Sequence, residues 1–253
     1  MAYFDVSFMT AALQFIDHPS PNFDGRAEAP IEKLVLHYTG METGQAALDR
    51  LCDKKAEVSA HYLVEEDGRI FRMVDEAERA WHAGVSYWRG CRDINARSIG
   101  IEIVNPGHEF GYRPFPEVQM KSVIALCQDI LSRYDIPARS IIGHSDVAFR
   151  RKQDPGELFD WAWLAREGIG LWHDDPEAKD IHHSIKRGDA GEGIRQLQEM
   201  LVYYGYGMPV DGMFGEITEE CVIAFQRHFR QSNIDGVWDG ECEARLEALL
   251  KKM

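Results

Sequence analysis

Two histidines and one aspartate have the types and positions that best suit a catalytic metal. His144 follows the short apolar run 140–142, and Asp154 comes ten residues later, while His37 closes a second apolar run, residues 34–36. Two imidazoles and one carboxylate are the usual protein ligands of catalytic zinc, and they leave a fourth position for water. A His–Asp pair alone is more often a simple hydrogen bond, so the third donor, His37, is what favours a metal.

Two more charged residues are candidates for a part in the chemistry. Glu102 lies within the apolar run 99–104, where burying an unpaired charge is costly. It is therefore either one member of a buried ion pair or a general base that faces a cleft. Lys152 is surrounded by charged residues, a pattern that by itself is typical of a solvated surface lysine.

The elements that must position these residues are both strands and helices. Helical spacing of apolar residues predicts one helix over 45–52 and a longer one over 118–134, opened by Pro116 and limited by Pro137. Short apolar runs rich in strand formers predict strands at 34–38, 61–64, 70–74, 98–104 and 140–144, with a hairpin turn at Asp67-Gly68. The prediction is an α/β domain with a mixed central sheet flanked by helices.

The last 70 or so residues contain a weak repeat. The pattern Val-Asp-Gly-Met-Phe at 210–214 recurs as Ile-Asp-Gly-Val-Trp at 234–238, and each copy precedes a helical pattern. An earlier helix carries Ile194, Leu197 and Leu201. These features predict a small three-helix C-terminal domain, separated from the first by the polar stretch 172–180. We therefore divide the chain into domains 1–178 and 179–253.

The charge balance and the first residues limit the partners and the location. With 28 Lys and Arg against 42 Asp and Glu, the net charge is −14, which does not favour a nucleic-acid partner. No apolar run reaches the length of a membrane span. Residues 1–16 lack the positive start of a signal peptide, since the first cation is Arg26. They are better interpreted as a helix or strand on the core, and we expect a cytoplasmic protein.

Several short motifs, in a fixed order, resemble a known family. They are Leu-His-Tyr-Thr at 36–39, Ser-Ala-His-Tyr at 59–62, Ala-Trp-His-Ala-Gly at 80–84, Asn95 with Ser-Ile-Gly-Ile-Glu at 98–102, Gly-His-Ser-Asp at 143–146 and Lys-Gln-Asp-Pro-Gly at 152–156. Together they resemble the type-2 N-acetylmuramoyl-L-alanine amidases, the AmpD and AmiD group, which are related to peptidoglycan recognition proteins. The tail, with Asp-Gly-Met-Phe-Gly at 211–215, resembles the common peptidoglycan-binding module.

The resemblance implies an activity and assigns roles by position. It makes His37, His144 and Asp154 the ligands of one Zn²⁺, Glu102 the catalytic carboxylate and Lys152 the group that stabilises the oxyanion. The implied reaction is hydrolysis of the amide between the lactyl group of (anhydro-)N-acetylmuramic acid and the L-alanine of the stem peptide, in peptidoglycan recycling or turnover. The fold implied is that of the amidase-2 and peptidoglycan recognition proteins. Weaker candidates for substrate contact are Tyr38, His61, Trp81, His82 and Asn95, together with Tyr87 and Trp88.

Three alternatives stay open at this point. An exported amidase would act on wall in the periplasm or cell wall, which suits a wall-binding module better than a cytoplasmic location does. A prophage-type lytic amidase would also lack a signal peptide. A recognition protein would bind peptidoglycan or a muropeptide without cutting it, although the complete set of candidate site residues argues against that reading.

Overall fold

The structure, a computed structural model, describes residues 13–179 and 184–253. The interpretation of the first residues as a helix or strand on the core falls mostly outside this part of the chain. Among the described residues, no helix is both long enough and apolar enough to cross a membrane.

A six-stranded mixed sheet forms the centre of the larger part, with strand order β1-β5-β4-β7-β3-β8. Strands β4, β7, β3 and β8 run parallel to one another, with β8 at the edge of the sheet. At the other edge, β4 and β5 form an antiparallel hairpin and β1 pairs in parallel with β5. The strands, with the separate antiparallel pair β2 and β6, are β1 Phe15–Asp17, β2 Phe23–Gly25, β3 Lys33–Tyr38, β4 Tyr62–Val64, β5 Ile70–Arg72, β6 Glu78–Ala80, β7 Ser98–Ile103 and β8 Ile141–Gly143.

The sheet is central because its middle strands are apolar on both faces. Leu34, Val35 and Leu36 of β3 and Ile99 and Ile101 of β7 are completely buried, as expected for parallel strands that are covered on two sides. Because β3 and β8 pair in parallel, their carboxyl ends lie next to each other. The predicted mixed sheet flanked by helices is confirmed.

Helices cover the sheet and build the C-terminal part. They are α1 Gly44–Cys52, α2 Gly107–Phe110, α3 Glu117–Arg133, α4 His144–Val147, α5 Trp161–Arg166, α6 Glu192–Tyr204, α7 Glu216–Phe229 and α8 Gly240–Lys251. Helix α3 begins directly after Pro116 and ends before Pro137, as predicted, and it buries Met120, Val123 and Ile130 against the sheet. The helical spacing predicts Val118 on the apolar side of this helix together with Val123 and Ile130, but Val118 is half exposed, so that prediction is wrong.

Two glutamines explain the repeat in the C-terminal part. The buried side chain of Gln198 in α6 accepts hydrogen bonds from the backbone N–H groups of Asp211 and Gly212. Gln226 in α7 accepts the equivalent bonds from Asp235 and Gly236. Each Asp-Gly turn is thus fixed to the helix before it by one buried amide, which is why the same sequence pattern occurs twice.

The C-terminal helices pack directly on the larger part of the chain. Trp88 is completely buried there, with its indole edge-on to Tyr204 and Tyr206 at centroid distances of 5.8 and 5.1 Å. The backbone of Gly205 runs so close that a Cβ at this position would lie 2.6 Å from the indole. Trp88 therefore joins the two parts of the chain instead of lining a substrate groove. The division after residue 178 stays a prediction.

Candidate metal centre and active site

Three side chains meet at the carboxyl ends of neighbouring parallel strands. His37 is near the end of β3, His144 follows β8 directly, and Asp154 lies in the loop after α4. The Nδ1 atoms of His37 and His144 lie 3.0 Å apart, and each lies 3.0 Å from Oδ2 of Asp154. All three side chains are buried. Such a cluster of donor atoms from separate elements can hold a metal ion.

The hydrogen bond on the far side of His144 fixes its tautomer. His144 Nε2 lies 3.1 Å from the carbonyl oxygen of Ala83, which can only accept, so Nε2 carries the proton and donates it. Nδ1 then presents a lone pair to the cluster. Arg151 donates to the same carbonyl and so helps to hold the loop that contains Ala83.

A longer chain of hydrogen bonds fixes the tautomer of His37. Ser98 Oγ lies 2.7 Å from the carbonyl oxygen of Ile94 and must donate to it, so this hydroxyl accepts from His82 Nε2, 3.0 Å away. His82 Nδ1 is then an acceptor, and His37 Nε2 donates to it over 3.1 Å. His37 Nδ1 therefore also presents a lone pair. A metal ligand needs this neutral form, and a hydrogen bond behind a ligating imidazole is what usually selects it.

The electrostatics of the cluster favour a neutral His37 and an ionised Asp154. Burial, together with the neighbouring imidazole of His144, lowers the pKa of His37 to about 4. Burial opposes ionisation of Asp154, but positive charge and Nδ1–H donation from the imidazoles, in the place where a metal ion would supply positive charge, hold the pKa of this carboxyl well below its usual range. Two neutral imidazoles and one carboxylate are the forms that bind a divalent metal, so the donor set fits zinc chemically as well as geometrically.

Glu102 lies beside this cluster and faces the cleft. It is paired with His37 in the register of β3 and β7. Its Oε2 atom is buried without a hydrogen-bond partner among the described residues. Burial, and then the negative charge of Asp154, raise the pKa of Glu102 well above its usual value. Such a carboxyl is suited to take up and release a proton at the reacting centre.

The cleft around the cluster has a volume of about 550 Å³. Lys152 lies on its wall, and its positive charge acts on Glu102 against the effect of burial. Of the weaker sequence candidates, Tyr38, Trp81 and His82 also line the cleft.

Three other substrate candidates, His61, Asn95 and Tyr87, are not on the cleft wall, and the first two are buried. His61 is 0% exposed, and its Nδ1 accepts the backbone N–H of Gly100. Asn95 Oδ1 accepts the backbone N–H groups of His82 and Ala83. Both side chains therefore bind backbone in the structure. His61 bonds to β7, and Asn95 fixes the loop whose Ala83 carbonyl orients His144.

The structure adds residues that sequence reasoning missed. His108 lies on the rim of the cleft, where its Nδ1 is 3.0 Å from the hydroxyl of Tyr38 and its Nε2 is 3.1 Å from Glu157. Arg50 is also on the cleft wall. Neither belongs to a motif, and the contact between residues 38 and 108 depends on the packing of α2 against the end of β3. Ser98, which orients His82, belongs to a predicted strand and to one of the family motifs, but nothing in the sequence assigned a role to its side chain.

Comparison with known proteins agrees with this site. The family model described as N-acetylmuramoyl-L-alanine amidase matches residues 27–157, which include the whole cluster. The chain belongs to this amidase family. A second model, described as a peptidoglycan binding domain, matches residues 190–246 of the amidase.

Individual relatives give the same assignment. The amidase is 38% identical to N-acetylmuramoyl-L-alanine amidase AmiD of Escherichia coli over 236 residues, 88% of this chain and 83% of that protein. It is 35% identical to 1,6-anhydro-N-acetylmuramyl-L-alanine amidase AmpD of Haemophilus influenzae over 161 residues, 56% of this chain and 85% of that protein.

Solved structures also match over nearly the whole chain. Escherichia coli AmiD in complex with anhydro-N-acetylmuramic acid-L-Ala-D-γ-Glu-L-Lys superposes with a TM-score of 0.75, covering 90% of this chain and 92% of that one at 38% identity. AMPDH3 of Pseudomonas aeruginosa superposes with the same TM-score, covering 100% and 99% at 31% identity. The amidase is thus an enzyme with the catalytic fold and the helical C-terminal part of these proteins.

Proposed function

We propose that the amidase uses one zinc ion, held by His37, His144 and Asp154, to cut the amide between the lactyl group of anhydro-N-acetylmuramic acid and the L-alanine of the stem peptide. The observation that carries this proposal is the convergence of three metal-ready donor atoms beside Glu102, whose buried Oε2 atom has no partner among the described residues, in one cleft. AmiD and AMPDH3 have both been crystallised with anhydromuramyl peptides, which supports the choice of substrate.

The cleft residues divide the chemistry between them. Zinc bound at the three donors supplies Lewis acidity, which makes water a better nucleophile and polarises a carbonyl. Glu102 accepts one proton from water as the water oxygen forms its bond to the lactyl carbonyl carbon. The same carboxyl then delivers this proton to the alanine nitrogen as the C–N bond breaks. The products are the muramyl carboxylate and a free peptide amine.

Lys152 has a separate role in this scheme. Negative charge develops on the carbonyl oxygen when water adds, and an ammonium group on the cleft wall stabilises that charge more in the transition state than in the substrate. Its half-buried position strengthens this effect relative to a lysine in bulk solvent.

The proposed substrate indicates the process that the reaction serves. Anhydromuramyl ends belong to soluble fragments released from the wall, so we propose a role in recycling or turnover of such fragments. Binding of intact wall by the C-terminal part and a cytoplasmic location both stay predictions. Sedimentation with purified sacculi tests the first, and cell fractionation with immunoblotting tests the second.

The deciding experiment is a cleavage assay with mass-spectrometric detection. Purified amidase is incubated with a soluble anhydromuramyl tetrapeptide before and after treatment with a chelator, and then after zinc is added back. We expect free tetrapeptide only in the zinc-loaded samples, and none with Glu102→Gln. Failure of the zinc-loaded protein to cut either this substrate or intact sacculi would refute the proposal, whereas cutting of sacculi alone would point to a lytic amidase.

A further inference from the structure

One carboxylate of the motif Gly-His-Ser-Asp points away from the metal centre. Asp146, at the third position of α4, is 1% exposed. Its Oδ2 accepts the backbone N–H of Gly143 at 2.8 Å, and thereby closes the turn from which His144 projects. A carboxylate at this helical position commonly stabilises the first turn in this way. Asp146 therefore determines the backbone geometry directly beneath a proposed metal ligand.

The other partners of Asp146 come from the C-terminal part of the chain. Its Oδ1 accepts the hydroxyl of Tyr206 at 2.8 Å, and its Oδ2 accepts Nδ1–H of His228 at 2.8 Å. Tyr206 is 0% exposed and His228 is 4% exposed, so water does not offer a replacement for either bond. A buried carboxylate that lost these donors would bear an uncompensated charge.

The surroundings hold His228 in one orientation. Its ring stacks on Trp161 of α5, with centroids 3.9 Å apart and planes inclined by 22°. Tyr206 is held in turn by Trp88, which is buried in the same contact. Helix α4 also packs directly against α7. The two donors are therefore positioned by rigid packing between the two parts of the chain.

We propose that Tyr206 and His228 are positioning residues of the metal site, acting through Asp146 on the turn that carries His144. The C-terminal part is then a component of the catalytic unit and not only a wall-binding appendage. This inference rests on the metal site proposed above. Removing either donor loosens the 143–148 turn, and His144 Nδ1 spends less time in the position that a metal requires.

The test uses full-length variants that remove one bond each. Tyr206→Phe deletes only the hydroxyl, and His228→Phe keeps a ring to stack on Trp161 but cannot donate. His228→Asn restores an N–H close to the position of Nδ1. Tyr204→Phe is the matched control, because Tyr204 is equally buried beside Trp88 and its hydroxyl bonds to no residue that the structure describes.

The first readout is hydrogen exchange of the metal-free proteins. We expect the amides of residues 143–148 to exchange about tenfold faster in Tyr206→Phe and His228→Phe than in the wild type or Tyr204→Phe. The His228→Asn variant should recover most of the protection. Exchange in this segment that is unchanged in both Phe variants would overturn the inference, whatever the outcome for zinc.

The second readout is metal binding. Zinc affinity, measured by competition with a chromophoric chelator, should fall about tenfold in the two variants. The visible absorption spectrum of the cobalt-substituted proteins should change as well, because it reports the geometry around the ion. If the variants melt at a lower temperature but keep the zinc affinity and the cobalt spectrum of the wild type, Tyr206 and His228 stabilise the fold only and the inference is wrong. A wild-type protein that bound no zinc would instead refute the proposed function.

Discussion

Replacing His82 with phenylalanine should weaken zinc binding although His82 is not one of the three proposed ligands. His82 Nδ1 accepts the proton of His37 Nε2, and this bond selects the tautomer with a lone pair on Nδ1. Without metal, His37 in the variant can move its proton to Nδ1 and point it at Asp154 Oδ2, 3.0 Å away. Zinc forces the proton back to Nε2, where no acceptor remains.

The expected loss of zinc affinity follows from the free-energy cost of leaving the buried N–H of His37 without an acceptor. Leaving a buried N–H without an acceptor costs about 1–3 kcal/mol, and the cost falls on the metal-bound state alone. A value of about 2 kcal/mol corresponds to a roughly thirtyfold higher dissociation constant for zinc. This estimate is within the roughly 10–100-fold range found when the hydrogen-bond partner of a metal ligand is removed.

A second variant separates the lost acceptor from lost packing. The ring of His82 lies against Gly100, where a Cβ would be 2.4 Å from it, so any change at this position disturbs a tight contact. His82→Asn has a smaller side chain, but its Oδ1 can occupy the position of the imidazole Nδ1. Competition with a chromophoric chelator should therefore show weak zinc binding for His82→Phe and nearly normal binding for His82→Asn. Equal affinity of His82→Phe and the wild type, or equal weakness of both variants, would refute the tautomer argument.

Three further outcomes are expected. Glu102→Gln should abolish turnover in the cleavage assay while the zinc content by atomic absorption stays at one per chain, and residual turnover would remove Glu102 from the proton transfer. Gln226→Leu should lower the free energy of unfolding by about 3 kcal/mol, because a buried and a partly buried backbone N–H group both lose their acceptor, whereas Gln128→Leu on an exposed surface should change it little in urea titrations. Burial, with the nearby charge of Arg26, lowers the pKa of His61 to about 3, so the unfolded chain takes up a proton below pH 6.5 before the folded protein does. When the pH is lowered from 6.5 to 5, the free energy of unfolding of the metal-free wild type should therefore fall by about 1.6 kcal/mol more than that of His61→Gln. An equal fall in both proteins would show that His61 does not stay neutral in the folded state.

The proposed metal ligands could be predicted from sequence because each depends on a local signal. His37 and His144 both follow buried apolar runs, and parallel strands bring their carboxyl ends to the same edge of a sheet. Asp154 follows His144 by a short loop. The family resemblance then supplied roles for Glu102, which the sequence alone left open between a buried ion pair and a general base, and for Lys152, which would otherwise be taken for a surface lysine.

The hydrogen bonds that orient those ligands could not be predicted from the sequence. His37 meets His82, and His144 meets the carbonyl of Ala83, through contacts between residues 45 and 61 positions apart. Such contacts depend on how the loop after β6 lies over the sheet, and no periodicity encodes that. His61 shows a second limit: as a histidine in a motif it fits either a cleft residue or a core residue, and only the fold shows that its imidazole, just before β4, is buried.

The motif Gly-His-Ser-Asp shows how one short segment can serve two purposes that sequence cannot separate. Its histidine faces the cleft, and its aspartate faces Tyr206 and His228 behind the turn. Read along the chain, both residues look like ligands of one site, since only one residue separates them. Within the first turn of α4, however, residues two apart point to nearly opposite sides. The helical turn thus connects the metal centre on one side to the C-terminal helices on the other, which is why a change behind it should be measurable at the metal.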